Sequence, residues 1–378
     1  MADRTRLNKL LTLLRNRRRQ RRDATLLNHL EIIGAPELNG LLFWVEHKRL
    51  KNFRFHDRGG FAAVFQARVS WQWGCGPRPS ANYALKELNL IELVLNLIMG
   101  DALLPIYGLT EHPMTGRYLM MMPLARGGTL ESRRSNPIYS WENIAEQAKD
   151  LAEKLAKIHK MGFLHNDLHP GNVVYLWPHD PHLIDIALGS SIEEEGEPKG
   201  YYGRLEYLPP EIYIGGNKAR VQASDVYCFA TLIWQMVTGV PPRGDSPSAV
   251  RNNPDHLREE LIPGMPDVLR NVLISCWNPA PAQRPTMESV HNDLHKWWCS
   301  IRSQGIKESY QNQNKTLFLP NTLWFIAQRQ AAYQQEKDAK SSSRSFSFPS
   351  GSSASSGRFS RRASDITVYS PLSSQPLP

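Results

Sequence analysis

The chain has 378 residues, 41% of them hydrophobic, which is enough to bury a sizeable core and excludes a wholly disordered polypeptide. Its four cysteines, Cys75, Cys228, Cys276 and Cys299, show no paired or metal-ligand spacing, which argues against a disulfide scaffold and for a reduced intracellular setting, cytoplasmic or nuclear. The net charge of +9 is concentrated in residues 1–22, which carry +8, and no apolar run reaches membrane-spanning length.

In chain order, Leu7, Leu10, Leu11 and Leu14 recur at helical spacing just before the Arg15–Arg22 basic run. Such a segment fits an amphipathic helix on an anionic membrane, a signal for a nuclear import receptor, an RNA-binding arm, or a basic extension with no partner. No aromatic residue interleaves with the arginines, so base stacking is not supported, and the charged terminus does not read as a secretory signal. Residues 23–40 read as a linker or short helical region, and Phe43-Trp44-Val45 as the first packed segment. Arg58-Gly59-Gly60-Phe61-Ala62-Ala63-Val64-Phe65 is a glycine-bearing turn ahead of a strand. Residues 71–80 form an extended hairpin connection, and Tyr83-Ala84-Leu85-Lys86 is a second strand. Glu92 follows Lys86 by only six residues, and Leu104-Pro105-Ile106-Tyr107-Gly108 is the next strand-like segment. Leu119 to Pro123 is a methionine-rich strand leading to Leu124-Ala125-Arg126-Gly127-Gly128. Ser140 is placed to cap a long helix through His159, with Ile144, Ala148, Leu151, Leu155 and Ile158 on one face.

The most informative stretch is His165-Asn166-Asp167-Leu168-His169-Pro170-Gly171-Asn172, with short apolar runs on either side and Asp185 thirteen residues beyond Asn172. A polar loop of this kind holds one carboxylate, Asp167, toward a substrate hydroxyl and one amide, Asn172, toward a metal. Asp185 follows Leu183-Ile184 at a strand end. Phosphoryl transfer needs this set: a base for the incoming hydroxyl and hard oxygen ligands for Mg²⁺. Further along come Tyr207-Leu208-Pro209-Pro210-Glu211, then an apolar helix opened by Ser224-Asp225-Val226-Tyr227 and stopped at Gly239. Cys276-Trp277-Asn278-Pro279 and Gln283-Arg284-Pro285-Thr286 follow.

These elements, in this order, resemble the protein kinases over about residues 41–300. The Cys-Trp and Arg-Pro ending is similar to the tyrosine-kinase-like branch. The Gly-Gly-Phe-Ala and Asp-Leu-His-Pro-Gly-Asn motifs are similar to kinase families expanded in mycorrhizal and related fungi. The resemblance implies an α+β, two-lobed protein-kinase-like fold with a small β-rich N-lobe (about 41–124) and a larger helical C-lobe (about 125–300). A basic extension (1–40) precedes it. A helical extension (301–340), whose Leu323-Trp324-Phe325-Ile326 cluster docks on the large lobe, and a disordered tail with fifteen serines (341–378) follow.

The resemblance also implies roles. Asp167 acts as base, His169 stands where serine/threonine kinases place a γ-phosphate lysine, and Lys86 anchors the phosphates of ATP. Asn172 and Asp185 hold Mg²⁺. Gly59, Gly60 and Val64 cover the nucleotide; aligned on Val64, Asp57 and Ala62 stand where glycines are expected. Ala84, Met122 as gatekeeper, Pro123 through its carbonyl and Ala125 through its N–H line the adenine site. Glu92 pairs with Lys86, Glu211 with Arg284, and Asp225 holds the catalytic-loop backbone.

Several departures oppose full activity: the short Lys86–Glu92 segment, Asp57 near phosphates, Asn166 in place of the usual Arg, His169, only partly charged at neutral pH, and Ala187 after Asp185-Ile186. The activation segment carries Glu193-Glu194-Glu195 and hydroxyls at Ser190, Ser191, Tyr201 and Tyr202. In the tail, Arg361-Arg362-Ala363-Ser364 and Ser370-Pro371 resemble phosphorylation sites. Three functions follow: a protein kinase acting on a protein substrate, Ser/Thr rather than Tyr; an ATP-binding pseudokinase scaffold; and a small-molecule phosphotransferase, opposed by the Pro-Pro-Glu, Ser-Asp-Val-Tyr and Arg-Pro elements.

Overall fold

In a computed structural model of the chain, the described residues are 2–14, 23–58, 62–70, 81–135, 140–186, 204–213, 220–242, 258–307 and 317–344. The Arg15–Arg22 run, Gly59, Gly60, the 71–80 connection, Ala187, the 190–202 acceptors and acidic run, and the tail from 345 lie outside them. The chain divides into two compact units, residues 1–131 with 150–195 and residues 132–149 with 196–378.

The first unit is built on a six-stranded sheet. Its strands are β1 (Phe43–Trp44), β2 (Leu50–Arg58), β3 (Ala63–Val69), β4 (Ala81–Glu87), β5 (Gly108–Glu111) and β6 (Tyr118–Pro123), in the order β1-β5-β6-β4-β3-β2. All neighbours are antiparallel except β1 and β5, and that parallel pairing requires Gly108, where a Cβ would stand 2.2 Å from the Phe43 carbonyl oxygen. The strand expected from Leu104 begins only at Gly108, because Leu104 and Ile106 bind other partners: Asn96 on helix α3 (Leu90–Met99) donates to the Leu104 carbonyl at 2.6 Å and accepts from the Ile106 N–H at 3.1 Å.

Strand alternation divides the sheet chemically. Phe65, Leu85 and Met121 are cross-strand neighbours on one face, where Val45, Leu50, Ala67, Val69 and Leu119 complete a buried cluster. Val64, Ala84, Lys86, Met120 and Met122 share the other face. Glu87, one residue past Lys86, falls on the opposite face and binds the Ala63 N–H and Arg117.

Two helices precede the sheet. In α2 (Ala24–Ile32), the region expected as a linker or short helix is capped by Asp23, which accepts from Thr25 and Leu26, and pinned by His29 stacked on Trp44 at 3.6 Å. In α1 (Ala2–Leu13), the leucine stripe is not presented to a membrane. Leu7, Leu10, Leu11 and Leu14 are all buried, and the helix packs on α3.

Helix α4 (Trp141–Lys160) starts directly after Ser140 and is followed by a short hairpin, β7 (Val173–Tyr175) and β8 (Pro181–Leu183). Gly127 packs so closely on β7 that a Cβ would meet Tyr175 Cβ at 2.7 Å, and the Gly127 N–H donates to the Tyr175 carbonyl.

The second unit is helical: α5 (Pro210–Tyr213), α6 (Gln222–Thr238), α7 (Asp267–Cys276), α8 (Met287–Lys307) and α9 (Pro320–Arg344). Helix α6 begins two residues before Ser224, so Ser224 is not its N-cap. It sits inside the first turn, where its Oγ accepts from the Val221 N–H and donates to Glu211. Gly239 ends the helix in the left-handed region at φ 70°. Helix α9 docks on α6, but not through the whole aromatic cluster. Ile326 is buried, Thr322 donates to the Pro263 carbonyl, Gln330 donates to the Thr238 carbonyl, and Trp324 is 65% exposed. The helix continues through Arg344, past the expected start of the disordered tail at 341.

Arg284 joins the parts of the second unit. Its guanidinium is bidentate to Glu211 at 2.8 and 2.7 Å and donates to the carbonyls of Asn278 and Ala223, with no side-chain exposure. Removing one partner leaves the other charge buried and uncompensated. Glu211→Ala is therefore expected to lower unfolding free energy by about 3–5 kcal/mol in urea denaturation, against under ~0.5 kcal/mol for the exposed control Glu288→Ala.

Candidate active site

The centre of the first unit is an amino group between two carboxylates. Lys86 on β4 lies 2.6 Å from Glu92 Oε1 on α3 and in direct contact with Asp185. Six residues suffice to join Lys86 to Glu92 because α3 starts almost at once after the strand. Asn89 is its N-cap, and its Oδ1 accepts from the backbone N–H groups of both Ile91 and Glu92 at 3.1 Å. The cap thus holds the residue that carries the carboxylate. Asn-x-x-Glu is the sequence signature of a capping box, and it was the available signal for this arrangement. Here, however, the Glu side chain reaches Lys86.

Burial sets the electrostatics. It presses the Lys86 ammonium downward, but Asp185 and Glu92 outweigh it and hold the group above its ordinary value. Burial pushes Glu92 up, and Asp185 adds repulsion. Lys86 opposes both only in part, leaving Glu92 raised from 4.5 to about 7.

The loop after α4 carries the second cluster. The Asn172 amide donates to the Asp167 carbonyl at 2.9 Å and to Asp167 Oδ2 at 3.2 Å, which leaves its Oδ1 as the atom to face a cation. His169 Nδ1 accepts from the Gly171 N–H at 3.0 Å, so the remaining ring nitrogen, Nε2, carries a proton and stands 3.5 Å from Asp167 Oδ2. His169 is thus tied to the loop and aimed at Asp167. His165 is fully buried and accepts from the Asp167 N–H.

Two non-glycine residues here adopt left-handed backbone, Asn166 (φ 70°) and Asp185 (φ 63°), residue types that tolerate it best. Asp185 lies two residues beyond the end of β8. The Ile184 N–H donates to the Asn172 carbonyl, tying the Asp185 segment to the Asp167–Asn172 loop.

Met122 and Ala84 are register partners facing the Lys86 side, Pro123 ends β6, and Ala125 accepts from the Gly128 N–H. Asp57 is exposed and its carboxylate accepts from the Arg58 N–H. In the second unit, Glu211 and Arg284 pair, and Asp225 is buried in the first turn of α6. Asn89, Asn96 and the close approach of Gly127 are the contributors that residue-type reasoning missed. Among the described residues no helix is long and apolar enough to cross a membrane.

The family profile described as Protein kinase domain matches residues 84–298. The chain is similar to human ankyrin repeat and protein kinase domain-containing protein 1, 28% identical over 50% of this chain and 26% of that protein. It is similar to rat receptor-interacting serine/threonine-protein kinase 3, 26% identical over 69% of this chain and 58% of that protein. It is also similar to Streptomyces coelicolor serine/threonine-protein kinase PkaB, 32% identical over 44% of this chain and 42% of that protein. The chain therefore spans between about a quarter and three-fifths of these relatives.

Two outcomes follow from the geometry. Asn89→Ala should cost about 1 kcal/mol of stability by urea denaturation. Because Glu92 is raised above its unfolded value, the folded state binds more protons between about 4.5 and 7, and this group's stabilising contribution is lost as pH rises through that window. The melting temperature of the metal-free protein, measured relative to Glu92→Gln, should fall from pH 5 to pH 7.

Proposed function

Because the chain belongs to the protein kinase family, we propose that it transfers the γ-phosphoryl group of ATP to a protein hydroxyl, Ser or Thr rather than Tyr, inside the cell. The observation that carries this reading is the contact of Lys86 with both Glu92 and Asp185. Two observations support it further: the short tether still delivers Glu92 to Lys86, and Asp57 is exposed. The serine/threonine kinase names of the relatives support the substrate class. The cysteine usage supports the intracellular setting. Finer placement in the tyrosine-kinase-like branch rests on the Cys276-Trp277 and Arg284-Pro285 motifs.

The donor set suits Mg·ATP. Asp185, 34% exposed on its side chain, and the Asn172 oxygen are hard ligands of the kind Mg²⁺ takes, and they belong to segments joined by the Ile184–Asn172 backbone bond. When bound, Mg·ATP supplies an electrophilic phosphoryl group. Lys86 holds the nucleotide phosphates, and Glu92 fixes the direction of its amino group. Ala84 and Met122 present apolar surface to the adenine, Pro123 its carbonyl and Ala125 its N–H, beneath the cover of Val64. Asp167, steadied by Asn172 and faced by the His169 N–H, orients the substrate hydroxyl and takes its proton. In the second unit, the Glu211–Arg284 pair braces the helices.

Incubation with Mg²⁺, γ-labelled ATP and a generic protein substrate should transfer label to Ser and Thr, with Asp167→Ala at least ~10²-fold slower. Folded wild-type protein that binds Mg·ATP without transferring label would replace this reading with the scaffold one.

A further inference from the structure

Helix α3 is ten residues long, Leu-Ile-Glu-Leu-Val-Leu-Asn-Leu-Ile-Met, and apolar nearly all round. Glu92, Leu93, Val94, Leu95, Asn96, Ile98 and Met99 are all buried. A helix of this length is marginal by itself in water, and one apolar on every side needs cover on every side. A sheet can cover only one. The second cover comes from the start of the chain. Helix α1 packs on α3, and its leucines are buried while Leu13, on its other side, is 57% exposed. The same leucine spacing that reads as a membrane-binding face is consumed within the molecule.

This matters for the active site because Glu92 lies in the first turn of α3, held by one strand connection and one cap. Nothing N-terminal to it in the helix can lever it into place. The position of its carboxylate is set by how α3 as a whole is seated.

We propose that α1 is a built-in positioning element for the catalytic ion pair: its leucine face, chiefly Leu10 and Leu11, seats α3 and thereby holds Glu92 against Lys86. The proposal rests on the kinase reading for its effect on turnover, but not for its effect on α3. Leu10 and Leu11 act through Glu92.

The test uses the full chain in four forms: wild type, Leu10→Asp/Leu11→Asp, Glu92→Gln, and the triple variant. In the wild-type background the two aspartates should lower kcat about tenfold, with near-ultraviolet circular dichroism retained. In the Glu92→Gln background the same pair should cost less than ~2-fold, because the group they act through is gone. Equal losses in both backgrounds, or no loss in the first, would overturn the proposal and leave α1 a stabilising appendage. If the aspartate variant does not fold, Leu10→Ala/Leu11→Ala is read the same way, with about threefold expected. A synthetic peptide of residues 1–14 should restore the rate of the weakened variant, and its Leu10→Asp/Leu11→Asp form should not. Should the wild type show no turnover, the kinase reading fails by itself. Hydrogen exchange of the Leu93–Met99 amides then decides the matter: faster exchange by about tenfold in the leucine variant supports α1 as the seat of α3, and unchanged exchange refutes it.

Discussion

A single buried amino group, Lys86 Nζ, held between Glu92 and Asp185, is the constraint on which the first unit depends. Three chain segments converge on it: β4 delivers the lysine, the first turn of α3 delivers one carboxylate, and the segment after β8 delivers the other. Charges taken out of water are stabilised only when each is met, so none of the three segments can move alone without leaving a charge uncompensated. Burial raises Glu92 and the repulsion of Asp185 adds to it, so the arrangement is costly even when complete. A cation at Asp185 would relieve that crowding.

The surroundings follow from that constraint. Asn89 fixes where α3 begins, Asn96 ties its far end to the chain leading into β5, and α1 closes its outer side. In the loop of Asp167, the same logic operates with weaker groups: Asn172 and His169 both address Asp167, and each is restrained by the loop backbone. The second unit repeats the principle of one well-satisfied cation, with Arg284 binding one carboxylate and several carbonyls at once. Elsewhere in that unit Cys228 and Cys276 are buried thiols pushed up to about 12, suited to packing rather than chemistry.

Much of the site was legible because its residues are polar where a core is otherwise apolar. Asp167, Asn172 and Asp185 stand out against Phe163-Leu164, Val173-Val174 and Leu183-Ile184, and the resemblance to kinase strands marked Tyr83–Lys86 and Leu119–Pro123. Three features were not legible, each for a physical reason. The short tether to Glu92 looked like a missing helical turn because chain length was judged without the N-cap that makes an early helix start possible. The leucine stripe of α1 left several partners open, an anionic membrane among them, because an amphipathic pattern states that something apolar will cover it, not what. Ser224 was assigned to a cap because serine favours that position, whereas two further residues of helix and the demand of Glu211 for a donor drew it inside the first turn.

The central claim is that Lys86 and Glu92 form one energetic unit, and a double-mutant cycle measures it directly. Unfolding free energies of wild type, Lys86→Met, Glu92→Gln and the double variant, obtained by urea denaturation at one common pH, give the coupling without any need for turnover. The account predicts a double variant no less stable than Lys86→Met alone, because without Lys86 the burial and the Asp185 repulsion that raise Glu92 go unopposed, and a glutamine in its place is spared both. Strictly additive losses would mean that the two residues do not meet, and the site built around them would have to be abandoned.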